Sequence, residues 1–247
     1  MNSRGITFIV WGGALVLGSL ALRELAGLSL PRDWAMPPAQ REPGVGLMLG
    51  GFRALAANVA WLRVQSSWEK KDATAILASL RRTVALDSRP LTFWINGARM
   101  LAYDMAEWQI SAGGGERDHP GLRERVDRNQ AQLALQWLRD AEQAHPHAAD
   151  LLIERANIQL NRARDLPAAA ESYRLAAAQP GAPRFAARLH GEMLRRLGQK
   201  TEAYAWLIRL HPTLPRDDED AAADLVLARI RNLEKELGTT DVYRPSG

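Results

Sequence analysis

The amino-acid sequence predicts an all-α chain: an N-terminal transmembrane helix, then an α-solenoid of about four helix-turn-helix repeats, closed by a C-terminal capping helix. Three observations carry this expectation. A small-x3-large-x2-small pattern with a closing proline recurs as Ala134, Leu138, Ala141 and Pro146, then as Ala169, Tyr173, Ala176 and Pro180. Ala203, Leu207, Leu210 and Pro215 repeat it with a larger last residue, and the three leading alanines lie 35 and 34 residues apart. A fixed period of that length means stacked helical hairpins. The second observation is negative: no run alternates polar and apolar residues as a half-buried strand does. The third is Gly5 to Leu22, which has no charged residue in 18 positions.

That N-terminal run would span roughly 27 Å as a helix, close to the hydrocarbon thickness of a bilayer. A cleaved signal peptide needs a shorter apolar core and an A-x-A-like exit, whereas here Glu24 precedes Ala26. A buried soluble helix needs a polar stripe, and this segment has none. Residues 1–26 therefore read as tail plus single-pass anchor. By positive-inside counting, Arg4 and the terminal amine oppose Arg23, Arg32 and Arg41, which would keep the repeats cytoplasmic. A short-tailed N-terminal anchor more often leaves its C-terminal domain outside, and the extracytoplasmic face is the expectation adopted. Residues 27–45, with four prolines from Pro31 to Pro43, read as a semi-rigid extended linker.

The repeats fill residues 46–215. GLMLGGFRALAANVAWLRVQSSWEKKD pairs with ATAILASLRRTVALDS as the first hairpin. Its second helix reads Ala78, Arg82, Ala85 and Pro90, 56 residues before Ala134, which is one period plus an insert placed at about 111–128. Within that insert Gly113 to Gly115 is a turn. Helix signals resume with Pro120 in a first turn and with Leu122, Val126, Leu133 and Trp137 on one stripe. The second helix of hairpin two is thus expected to be longer by about three turns. First helices carry their own small positions: Ala98 between Trp94 and Leu101, then Ala156, then Gly191 with Gly198 as C-cap. Residues 216–238 read as the capping helix, with acids in its first turn, an apolar stripe of Val226, Ile230, Leu233 and Leu237, and a solvated face including Arg231. Residues 239–247 are a tail.

The recurring positions resemble the tetratricopeptide repeat. LGGFRALAANVAWLRVQ and WINGARMLAYDMAEW are further similar to a bacterial group of membrane-anchored tetratricopeptide proteins, over about residues 48 to 110. The resemblance implies architecture and attachment to a bacterial inner membrane. It implies no chemistry.

Composition narrows the functional classes. There is no cysteine, hence no disulfide, thiolate metal site or lipoprotein anchor. Net charge is +4, from 28 Arg and 4 Lys interleaved with acids. That pattern is a solvated helical face and not a nucleic-acid patch. His145, His147 and Asp150 have the spacing of metal ligands, but a zinc site needs three or four that converge, and the remaining histidines lie in other repeats. No phosphate loop, nucleophile elbow or HExxH occurs. The expectation is no catalytic residue, no metal and no cofactor.

Solenoids bind along the wall made by their first helices. Counting from Ala98, Ala156 and Gly191, the inward positions are Arg99 and Tyr103, Asn157 and Asn161, and Arg188, Glu192 and Arg195. Amide and guanidinium donors there would suit a peptide carboxylate. A membrane-anchored scaffold that captures a protein or peptide partner is the expected function. The alternative is an accessory subunit docked on a larger membrane complex, such as a transporter or a secretion or pilus machine, through the insert and the apolar first hairpin.

Overall fold

A computed structural model describes residues 43–114, 119, 121–215, 221–239 and 242–244. The chain divides into two units, residues 1–49 and 50–247, and the buried apolar clusters lie within the second. The expected anchor, most of the linker, Pro120 and the acids at 217–220 lie outside the described residues. Among the described residues the fold is all-helical, with no strand. No helix there is long and apolar enough to cross a membrane.

Helix α1 (Pro43–Glu69) begins three residues inside the span read as linker, at a proline whose missing N–H costs nothing in a first turn. Lys71 turns the chain with φ 55°, and Asp72 caps α2 (Ala73–Leu86) by accepting from the Ala75 amide at 3.0 Å. Next come α3 (Leu91–Arg99), a π-turn at Met100–Asp104, and α4 (Met105–Ala112), one after another without a break. Helix α5 (Leu122–Ala144) returns along them. Helix α6 (Ala149–Ile158) also ends in a π-turn, Gln159–Ala163, and Asp165 then caps α7 (Leu166–Ala177). Helix α8 (Arg184–Arg196) stops at Gly198, which holds φ 78°. The amides of Gly198 and Gln199 bond back to the carbonyls of Arg195 and Leu194, both at 3.0 Å, the paired pattern that a glycine at this position permits. Helices α9 (Lys200–Leu210) and α10 (Ala223–Leu237) follow.

Helix α5 lies chiefly along α3, the first π-turn and α4 and touches α6 less; after it each helix packs chiefly on its neighbours in chain order, α6 on α7, α7 on α8, α8 on α9 and α9 on α10. The buried apolar residues fall into successive clusters along the chain. One joins Val64, Leu80, Trp94, Trp137 and Leu151, a second joins Ile153, Tyr173 and Met193, and a third joins Leu207, Val226 and Ile230. Small residues lie at the tightest approaches. Ala98, Ala134, Ala141, Ala156, Ala169, Ala176 and Ala203 are all fully buried. A Cβ on Gly97 would come within 2.9 Å of the Trp137 ring nitrogen, and one on Gly191 within 2.7 Å of Leu207 Cδ2.

The first hairpin corrects the sequence reading. Ala78, Arg82 and Ala85 face solvent, and the inward residues of α2 are Ile76, Leu80 and Thr83. The 0-4-7 spacing holds, but two residues earlier and with a large residue in the first place. Both helices of the second hairpin are long: Val126 and Leu122 of α5 lie on Ala106 and Ile110 of α4. Trp68 of α1 reaches the same region, its Nε1 donating to Asp104 Oδ2 at 2.8 Å and its ring 6.0 Å from Trp108. Leu133 is exposed instead of joining the expected stripe. Arg231, expected on a purely solvated face, holds the buried carboxylate of Glu234 at 2.9 Å. Leu237 is exposed.

Overpacking a closed helix pair is costly. Ala203→Trp should destabilise by about 1–3 kcal/mol or more, whereas Ala78→Trp should stay within about 0.5 kcal/mol. Urea midpoints compare the two, and equal losses would place Ala78 in the core after all.

Candidate functional site

The seven inward residues expected from the sequence form two groups. Arg99 leaves the end of α3 and donates twice to Glu154 of α6, at 2.8 and 3.0 Å. Glu154 is itself buried. Tyr103, in the first π-turn, bonds to the Asn161 side chain and lies under the Arg162 guanidinium, 4.6 Å from ring centre to Cζ. Burial raises the pKa of Tyr103. Asn157 accepts the hydroxyl of Tyr173 at 2.6 Å, and burial pushes that phenol up to about 12. Arg162 continues inward to the buried Asp127 at 2.9 Å. In this group Arg99, Tyr103 and Asn157 are engaged with protein partners. They join α3, α6 and α7 as a polar seam, a structural use of residues the sequence nominated for ligands.

The second group differs. Arg188, Glu192 and Arg195 lie on one face of α8 at i, i+4 and i+7, and all three line a cleft of about 260 Å³. Phe185 and Leu189 belong to the same face, while Ala186, His190 and Met193 point back into the protein. The opposite wall is α10, which supplies Leu225, Val226 and Arg229. The floor is Gly191 over Leu207, so the missing side chain of Gly191 shapes both the helix contact and the cleft. Phe185 and Leu225, 36% and 50% exposed, present apolar rims.

Among the described residues the cleft lining is richer in guanidinium than in carboxylate. Arg195 donates to Glu192 at 2.7 and 3.0 Å, and Arg229 stands 3.9 Å away on the other side. The Arg195 hydrogen bonds hold the Glu192 carboxyl below the usual range against the opposing effect of burial. The lining thus contributes three guanidiniums, on Arg188, Arg195 and Arg229, and a single carboxylate. Arg229 and Leu225 were missed because α10 reads from the sequence as an outer cap with a charged face, and Phe185 because it lies six residues before Gly191, outside the counted positions. The overlooked signal is the Leu225 to Arg229 step, one turn apart beside the buried Val226.

Among the described residues, no three His, Cys, Asp or Glu side chains converge as metal ligands. His145 places Nε2 2.7 Å from the Ser88 carbonyl oxygen, and His147 faces solvent. No protein-family model matches the chain, and no curated protein is significantly similar to it.

On the side of α8 turned away from the cleft lies a titratable group. His190 is buried, with Nδ1 2.9 Å from the Ala170 carbonyl oxygen and Trp206 edge-on at 4.5 Å. Burial lowers its pKa below the ordinary 6.5. As pH falls below that value the unfolded chain takes up a proton that the folded chain resists. Stability from this residue is therefore complete above about pH 6.5 and declines below it. The depressed carboxylates, Glu192 among them, lose theirs at lower pH, below their ordinary 4.5. The unfolding midpoint should begin to drop between pH 6.5 and 5.5 in the native chain and stay level there in a His190→Asn variant. An identical early drop in both would assign the effect elsewhere.

Proposed function

We propose that the protein is a non-catalytic, membrane-anchored scaffold of tetratricopeptide-like hairpins, and that the cleft between α8 and α10 captures a partner's peptide through an apolar side chain and a carboxylate. The cleft carries this reading. It combines bare apolar rims at Phe185 and Leu225 with an excess of guanidinium over carboxylate among its lining residues. An extended peptide ending or turning at an acidic residue offers the complementary pair. Charge-assisted bonds from Arg are roughly twice as strong as neutral ones and can be bidentate. The serial packing of α6 to α10 and the small residues at helix crossings support the solenoid. The uncharged run Gly5 to Leu22 supports a single-pass anchor in a bacterial inner membrane, with the repeats on its extracytoplasmic side.

The binding test uses a library of peptides with free C-terminal carboxylates beside the same library amidated. Selected carboxylate peptides should bind the full chain in detergent and lose at least tenfold in affinity with Arg188→Glu plus Arg195→Glu, at unchanged helicity. Glutamate at the exposed Arg125 and Arg128 should leave binding in place. Binding that survives the charge reversals, or that ignores amidation, would reject the cleft as a carboxylate site.

A further inference from the structure

Helix α1 leaves a row of apolar side chains bare. Phe52, Leu55 and Leu62 are 71%, 58% and 63% exposed, and Val59 between them is exposed as well. Their spacing of 3, 4 and 3 residues puts them on one face, roughly 15 Å long at helical rise. The opposite face is used differently: Ala57, Ala60 and Val64 are buried against the core. Among the described residues no other helix face shows such a row. Leu133 stands alone on α5, and Phe185 and Leu225 border the cleft. The row belongs to a helix that is not long and apolar enough to cross a bilayer.

Charge accompanies it. Between Gly50 and Leu86 there are six basic residues, Arg53, Arg63, Lys70, Lys71, Arg81 and Arg82, against Glu69 and Asp72. That excess equals the net +4 of the entire chain. Arg63 lies one turn beyond Val59 on the bare face itself, and Lys70 and Lys71 close the hairpin, all exposed. A bare apolar stripe edged by cations matches a helix lying in the interface of an anionic membrane. Two copies paired in parallel through this face would bring Arg63 against Arg63. A lipid phosphate there is attractive.

Position adds the third argument. Only residues 23–42 separate the uncharged run from α1, and such a spacer reaches at most about 60 Å at polyproline extension. We infer that α1 lies along the lipid headgroup layer, with Phe52, Leu55, Val59 and Leu62 turned into the acyl boundary and Arg63 and the Lys70–Lys71 pair at lipid phosphates. This rests on the anchoring proposed above and extends it: the membrane becomes a second surface for the folded domain and not merely the far end of a tether.

The chain has no cysteine, so single cysteines report position without interference. Full-length Val59→Cys and Leu62→Cys, labelled with NBD in phosphatidylcholine–phosphatidylglycerol vesicles, should show blue-shifted emission. Nitroxide lipid should quench them at least threefold more than a label at Ala178→Cys. Quenching of 59 and 62 by aqueous iodide to the extent seen at 178 would overturn the inference. So would protection from both quenchers, which would mean that protein covers the row, as in a docked subunit. A label at Ala14→Cys scores the anchor separately. Lipid quenching at 14 without quenching at 59 and 62 rejects the interfacial helix alone, and its absence at all three rejects the anchor with it.

Discussion

Trp137 of α5 lies against the backbone of α3 at Gly97, and this contact sets the distance between the two helices. Its Nε1 donates to the Trp94 carbonyl at 2.8 Å, and the two indoles meet at 4.7 Å. Trp94 in turn donates to the Ser88 carbonyl at 2.9 Å, which ties the turn after α2 to the same pair. A side chain at Gly97 would put a carbon 2.9 to 3.1 Å from three atoms of the Trp137 ring. The indole fits because that side chain is missing. Ala98, Leu101, Ala134 and Leu138 then close around it with no exposed surface to speak of.

The same device recurs down the chain with different residues. Gly191 admits Leu207, while Ala156, Ala169 and Ala176 are buried in the α6–α7 pair. Small residues at fixed spacing are a strong sequence signal, because no alternative helix-lining residue permits the approach. That is why hairpins two to four and the stripe Val226, Ile230 and Leu233 were legible. The first hairpin was not. Its inward residues, Ile76, Leu80 and Thr83, are of mixed size, and the alanines at 78 and 85 mimic the pattern on the solvent side. Alanine favours any helix position, buried or not, so spacing alone could not choose the face. Leu133 misled for the complementary reason: a leucine suits a core, yet Ala131 and Ala134 occupy the inward places on either side of it.

The candidate site was half legible. Counting from small positions found the inner face of α8 because Arg188, Glu192 and Arg195 lie one helical turn apart and all line the cleft. The same count failed to separate ligand-facing from self-satisfied residues on α3 and α6. Whether Arg99 meets a ligand or Glu154 depends on two residues 55 positions apart, and no local pattern records that pairing. The π-turns at Met100–Asp104 and Gln159–Ala163 were invisible for a similar reason. They rotate Tyr103 and Asn161 relative to a regular helix and bring them together.

The apolar-rimmed cleft between α8 and α10 and the bare apolar row on α1 are two separate surfaces. Both surfaces depend on helix pairs held at fixed spacing, so the spacing itself is the decisive quantity. It is read most directly by the stability effect of Gly97→Ala in two backgrounds. An alanine for glycine in a helix is worth up to about 1 kcal/mol in its favour. The substitution should nonetheless destabilise the native chain, where the indole blocks the new methyl, and stabilise a Trp137→Leu chain, where that obstacle is gone. A change of the same sign and size in both backgrounds would contradict the claim that Trp137 against Gly97 sets the helix distance.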